Sequence, residues 1–192
     1  MTIVFDTETN GLPKNWKAPM QDVDNWPRIV QLAWAVFNDE GTLVRGKQYI
    51  IQPDGWTIPQ EASQVHGITQ EIAERDGVSL FSTLMMFIAD YVDCHTLVAH
   101  NLYFDFRVVG AEFIRAGLRA DKRVEKKVCT MQASTDFCAI PGTYGKYKWP
   151  KLEELHEILF GEKFDGAHEA MVDVLACGRC YFELLKRGVI TF

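Results

Sequence analysis

Apolar residues follow one period in the first quarter of the chain and another after it. Up to about residue 51 they recur every second position, and beyond residue 60 they recur every third or fourth. Thr2-Ile3-Val4-Phe5 reads as a short buried strand that ends at Asp6. Residues 29–37 alternate, with Val30, Leu32, Trp34 and Val36 on one face, and run into the turn signal Asn38-Asp39-Glu40-Gly41. A third strand is expected at about 43–51. Short connections favour antiparallel neighbours, so the chain should open as a three-stranded meander.

After residue 60 the pattern becomes helical. Leu80, Leu84, Phe87, Ile88 and Tyr91 recur behind Ser79 as N-cap, and Leu102, Phe106, Val109 and Phe113 recur up to Gly117. The apolar run Thr96-Leu97-Val98-Ala99 between them fits a buried strand. A further strand is expected near 124–129, then helices near 131–138, 150–160 and 169–187, with Pro150 in the first turn of its helix. The sum is an α/β (α+β layered) domain with a mixed five-stranded sheet flanked by helices. Residues 13–28, with three prolines and two tryptophans, form a loop excursion from a single domain spanning 1–192.

The composition, 47% hydrophobic and 24% charged over 192 residues, is that of a soluble globular protein and excludes a disordered or disulfide-stapled chain. The start MTIVFDTETN lacks the basic residues and apolar run of a signal peptide, and no apolar stretch is long enough to span a membrane. A cytoplasmic protein with no membrane partner is expected. Cys94, Cys129, Cys138, Cys177 and Cys180 are odd in number and lack a second C-x-x-C to complete a zinc site, so they are expected to be reduced thiols. A net charge of −6 argues against a broad basic surface that coats nucleic acid. Local basic groups remain: Lys122, Arg123, Lys126, Lys127, Lys146, Lys148 and Lys151 are candidates for phosphate contact.

Much of that acidity is arranged in a pattern. Asp6 and Glu8, two apart in extended chain, point to the same side and repel each other unless a cation lies between them. Asp105 falls in the first turn of a helix that follows a buried strand, where α/β sheets build ligand sites. His168 and Asp173 are five apart and cannot share one helical face, so Asp173 belongs on the last helix and His168 on the approach to it. Singly, each would read as a solvated or helix-capping side chain. Together they supply hard oxygen ligands for two divalent cations, Mg²⁺ or Mn²⁺, and a base that titrates near neutrality, the requirements of phosphodiester hydrolysis.

The segments Asp6-Thr7-Glu8-Thr9-Asn10-Gly11-Leu12, His100-Asn101-Leu102-Tyr103-Phe104-Asp105 and His168-x4-Asp173 resemble, in order and spacing, the DEDDh (DnaQ-like) family of 3′-5′ exonucleases. That family includes the proofreading epsilon subunit of bacterial DNA polymerase III, RNase T, oligoribonuclease and the three-prime repair exonucleases. The resemblance implies a ribonuclease-H-like fold with the first strand central. It also implies removal of nucleoside monophosphates from a nucleic-acid 3′ end, with single-stranded DNA expected ahead of RNA. Asp6, Glu8 and Asp173 would hold the catalytic-side cation, Asp6 would bridge to the second, Asp105 would bind that one, and His168 would be the general base. Thr7, Thr9, Leu12, His66 (in Val65-His66-Gly67-Ile68-Thr69) and Asn101 would hold the terminal nucleotide. Asn10 stands where threonine is commoner. The short segment after the last helix offers no obvious polymerase tether, so a polymerase partner is not indicated. A ribonuclease-H-type endonuclease and a catalytically inactive binding module are the competing expectations.

Overall fold

The computed structural model describes residues 1–119, 124–166 and 169–191. Five strands form one mixed sheet: β1 (Thr2–Thr9), β2 (Ile29–Phe37), β3 (Leu43–Ile50), β4 (Thr96–Ala99) and β5 (Lys126–Cys129), in the order β3-β2-β1-β4-β5. β1 pairs antiparallel with β2, and β2 with β3, which is the expected meander. β4 runs parallel to β1, and β5 parallel to β4. The first strand is therefore central, and the carboxyl ends of β1 and β4 lie at the same edge.

Eight helices carry labels here: α1 (Gln60–His66), α2 (Gln70–Asp76), α3 (Leu80–Tyr91), α4 (Leu102–Arg115), α5 (Thr130–Ala133), α6 (Thr135–Cys138), α7 (Leu152–Phe160) and α8 (Ala170–Lys186). They cover both faces of the sheet. On one face Ile3, Phe5, Leu32, Trp34, Val36 and Leu97 pack against Leu84, Phe87 and Tyr91 of α3 and Val109 of α4. On the other, Val4, Ala33, Ala35, Phe37 and Val98 meet Ala170, Val174, Cys177 and Tyr181 of α8. Burial of each large apolar side chain contributes roughly 1.5–3 kcal/mol, so this double cover holds β1 rigidly in place. Cys177 and Cys180 both lie within α8 and are buried there, and burial pushes the Cys180 thiol up to about 12.

Four expectations need correction. All of β2 is buried, not one face alone, because helices cover both sides. Val30 leaves the row of Leu32, Trp34 and Val36: Glu8 pairs with Gln31 but Thr9 with Ile29, a bulge that sends Val30 into a separate cluster with Ile58, Ile68 and Ala73. The helix expected at 131–138 is two short turns. Ser134 Oγ donates to the Thr130 carbonyl (2.7 Å) and Thr135 Oγ1 to that of Met131 (2.9 Å), and such back-bonding breaks a short helix. Pro150 also stands outside its helix: His100 Nε2 donates to the Pro150 carbonyl (3.0 Å), Lys151 is extended, and α7 starts at Leu152.

Candidate active site

β1 brings Asp6 and Glu8 to the carboxyl edge of the sheet, two residues apart and on one side. The bulge beside Glu8 ends regular pairing there, as bulges next to active sites commonly do. α8 runs beneath the face of β1 that Asp6 and Glu8 share with Val4, and its first turn carries Asp173 to the same edge. The Gln48 side-chain oxygen on β3 accepts from the Met171 N–H (2.8 Å), tying the start of α8 to the sheet. Ligand oxygens of Asp6, Glu8 and Asp173, all half-buried, lie within 4.8 Å of one another.

Asp105 arrives from the third direction, in the first turn of α4, and is buried. Its Oδ1 accepts two hydrogen bonds from Thr7, from the backbone N–H (3.2 Å) and from Oγ1 (2.7 Å). The carboxylate is thereby fixed against the central strand between Asp6 and Glu8. Thr7, expected beside the nucleotide through its backbone, uses its hydroxyl to hold an acid 98 positions away, a contact that no local pattern encodes.

The electrostatics are those of buried acids that lie close enough to repel one another. Burial, then the charges of Asp105, Glu8 and Asp173, raise Asp6 well above the usual carboxylate range. Burial, then Asp173 and Asp105, push Glu8 to about 8. Burial lifts Asp105 to about 7 despite the opposing Thr7 hydrogen bonds. Such shifts mark carboxylates that repel one another until a cation joins them. Among the described residues the grouped donors are carboxylate oxygens, which suit a hard divalent cation.

Around this cluster the other expected residues take varied positions. Thr9 Oγ1 donates to the Gly11 carbonyl (2.7 Å), which shapes the turn that leaves Leu12 73% exposed beyond the end of β1. Asn10, the departure in the first motif, accepts from the Arg28 N–H (2.8 Å) and donates to the Thr57 carbonyl (3.1 Å), joining three segments at the rim. His66 Nδ1 accepts from the Ile68 N–H (3.1 Å), so the proton is on Nε2, a buried atom that approaches the Thr9 backbone at the end of β1. Asn101 adopts a left-handed conformation (φ 74°) at the start of α4 and makes no side-chain cap. His100, which sequence reading quoted only as part of a motif, accepts at Nδ1 from Thr130 Oγ1 (2.9 Å) and locks the chain near Pro150, and burial lowers it to about 4. A cleft of about 520 Å³ runs from Asp6 and Asp173 along His100, Met131, Trp149 and Lys151. His168, Lys122 and Arg123 lie outside the described residues. Of the tryptophans, Trp26 is core, and Trp16 packs on Phe104.

A mixed sheet with a central acidic strand, covered by helices on both faces, defines a ribonuclease-H-like α/β domain. The chain belongs to the exonuclease family of the RNase T type, whose model matches residues 3–181. It is 26% identical over 187 residues to the 3′-5′ exonuclease DinG of Bacillus subtilis, covering 96% of this chain and 18% of that protein. It is 28% identical over 175 residues to the DNA polymerase III subunit epsilon of Treponema pallidum, covering 90% of this chain and 71% of that one. Among solved structures it resembles Escherichia coli exonuclease I in complex with a dT13 oligonucleotide, with a TM-score of 0.78 at 18% identity, over 97% of this chain and 41% of that one. It also resembles exonuclease X in complex with 5′-overhanging duplex DNA, with a TM-score of 0.65 at 23% identity, over 100% and 95% of the two chains. The chain thus spans less than half of DinG and of exonuclease I. No helix among the described residues is long and apolar enough to cross a membrane.

Proposed function

We propose that this chain is a metal-dependent 3′-5′ exonuclease that releases nucleoside monophosphates from the 3′ end of single-stranded DNA, with RNA as the alternative substrate. The observation that carries the reading is the convergence of Asp6, Glu8 and Asp173 at the carboxyl edge of the central strand, in a chain of the exonuclease family. The choice of DNA is supported by exonuclease I, solved with dT13 and dA16 oligonucleotides.

In this reading Asp6, Glu8 and Asp173 would hold one divalent cation, and Asp6 with Asp105 would hold a second. Two such ions would supply activation of the attacking water and stabilisation of the leaving 3′ oxygen. The chain's own groups do the rest. His168 takes the proton from the water, a task for which a neutral imidazole is suited at physiological pH. Thr7 holds Asp105 in register with β1. The backbone from Thr7 to Thr9, the exposed Leu12 side chain, Asn101 and His66, which approaches the Thr9 backbone, seat the terminal nucleotide.

The deciding experiment uses 5′-labelled DNA and RNA strands of matched sequence, with Mg²⁺, with Mn²⁺ and with a chelator, and resolves products by length. A metal-dependent ladder descending from the 3′ end is expected, faster on DNA. No shortening of either strand with either metal would overturn the proposal, and internal cuts in a circular substrate would replace it with an endonuclease. His168→Ala should lower the rate about 10²- to 10⁴-fold while Mn²⁺ binding by calorimetry persists. Near-normal turnover in that variant would remove His168 from the role.

A further inference from the structure

Residues 141–149 are all exposed, yet three of the nine are aromatic: Tyr144 is 100% exposed, Tyr147 52% and Trp149 60%. Apolar rings left in water without a packing role mark a surface that meets something else. Lysines alternate with them, at Lys146, Lys148 and Lys151, in a chain whose net charge is −6. The segment is folded rather than loose. Pro141 and Tyr147 form an antiparallel bridge, Gly142 N–H donates to the Lys146 carbonyl (2.9 Å), and Lys148 N–H donates to that of Ile140 (3.0 Å). The closure is tight: a Cβ on Gly142 would lie 2.8 Å from the Lys146 carbonyl oxygen. At its tip Tyr144 takes a left-handed conformation (φ 56°), unusual for a bulky residue, which turns the ring fully outward.

The root of this hairpin is part of the active-site cleft. Trp149, Pro150 and Lys151 wall the same cavity as Asp6 and Asp173, and His100 pins Pro150 by its carbonyl. Tyr144 and Tyr147, nearer the tip, do not line that cavity. We propose that this hairpin is a strand-binding arm: Tyr144, Tyr147 and Trp149 stack on unpaired bases upstream of the bound 3′ terminus, while Lys146 and Lys151 meet the intervening phosphates. Aromatic platforms interleaved with cations suit single strands, whose bases are free to stack, and not duplexes, whose bases are already stacked. Lys148 is partly spent on Glu154 (2.5 Å) and contributes less. The direction of the strand rests on the exonuclease reading, but the binding itself does not.

The test measures binding by fluorescence anisotropy with EDTA present, so that the strand stays intact whatever the activity. The wild-type protein is expected to bind a single strand of about 20 nucleotides more tightly than a dinucleotide, since site sizes run to several nucleotides. Y144A/Y147A should weaken binding of the long strand by about 30-fold or more, from the loss of two stacked bases, and abolish the advantage of length. K146A/K151A should lower the slope of log affinity against log salt by about 1.4, at ~0.7 per phosphate contact. These residues make no contribution to the core, and an unchanged circular-dichroism melt is the control for folding. Superimposable binding curves for wild type and Y144A/Y147A would overturn the arm, as would an equal loss of affinity for blunt duplex. Wild-type protein that binds the strand through the arm but never shortens it would sink the exonuclease reading and leave the arm standing. Shortening with no arm dependence would do the reverse.

Discussion

The hydroxyl of Thr7 is the smallest feature of the site with a measurable consequence. It donates to Asp105 at 2.7 Å, so replacing it with valine keeps the β-branched shape and removes only the hydrogen bond. Groups that orient a ligand typically matter about 10- to 100-fold in metal affinity. Mn²⁺ titration calorimetry should show Thr7→Val weakened by about tenfold or more and Thr7→Ser close to wild type, and identical affinities for all three would make the bond incidental. Asp173→Asn removes a proposed ligand outright and should cost more than Thr7→Val; an unchanged Mn²⁺ affinity would count against that assignment. At this scale the gathering of Asp6, Glu8 and Asp173 was legible only from three motifs taken together, since each acid alone read as a solvated or helix-capping side chain. Their supports were not. Thr7 to Asp105, His100 to Pro150 and Gln48 to Met171 join positions 98, 50 and 123 apart, and only the folded chain sets such pairs.

Elements place those side chains, and the crossing of α8 over β2 is the tightest place where one does so. A Cβ on Gly178 would lie 2.7 Å from Phe37 Cζ, so the helix approaches the sheet closely because glycine is there. Gly178→Val should overpack this contact at a cost of about 1–3 kcal/mol and lower the melting temperature by about 2–12 °C. The same variant should also weaken metal binding, since α8 carries Asp173; a stable protein with unchanged Mn²⁺ affinity would show that the helix can shift without moving the acid. The strands at 29–37 and 96–99 were legible to the residue, the first from its alternation and the turn signal after it, the second as a short apolar run. α1 and α2 were not: Gln-Glu-Ala-Ser-Gln-Val-His and Gln-Glu-Ile-Ala-Glu-Arg-Asp bury too little to show a period. Pro150 misled because its carbonyl is claimed by His100, a partner that outcompetes the first turn of α7.

Over the whole molecule, the acids of the site and the buried His100 set opposing limits on stability as pH changes. Burial lowers His100 to about 4 from an unfolded value near 6.5, so its contribution is present above pH ~6.5 and is lost as pH falls towards 4. The acids act in the other sense. Glu8 at about 8 and Asp105 at about 7 bind protons in the folded state that the unfolded chain has already released, so their contribution is present below pH ~4 and is lost as pH rises through those values. Between about 4 and 6.5 the two effects oppose each other; above 6.5 only the acids remain. In EDTA the melting temperature should therefore decline between about pH 6.5 and 8. A cation bound by the same carboxylates removes the repulsion that causes the decline, and it competes with fewer protons as pH rises. Saturating Mg²⁺ or Mn²⁺, at about 100 times its Kd, should add ~2.7 kcal/mol, or about 5–10 °C, by pH 8 and much less at pH 6. Calorimetric melts across that range, with and without metal, separate the possibilities. A melting temperature in EDTA that stays level up to pH 8, or a metal increment that does not grow with pH, would mean that the acids titrate as solvated groups and that the cluster is not where the cation binds.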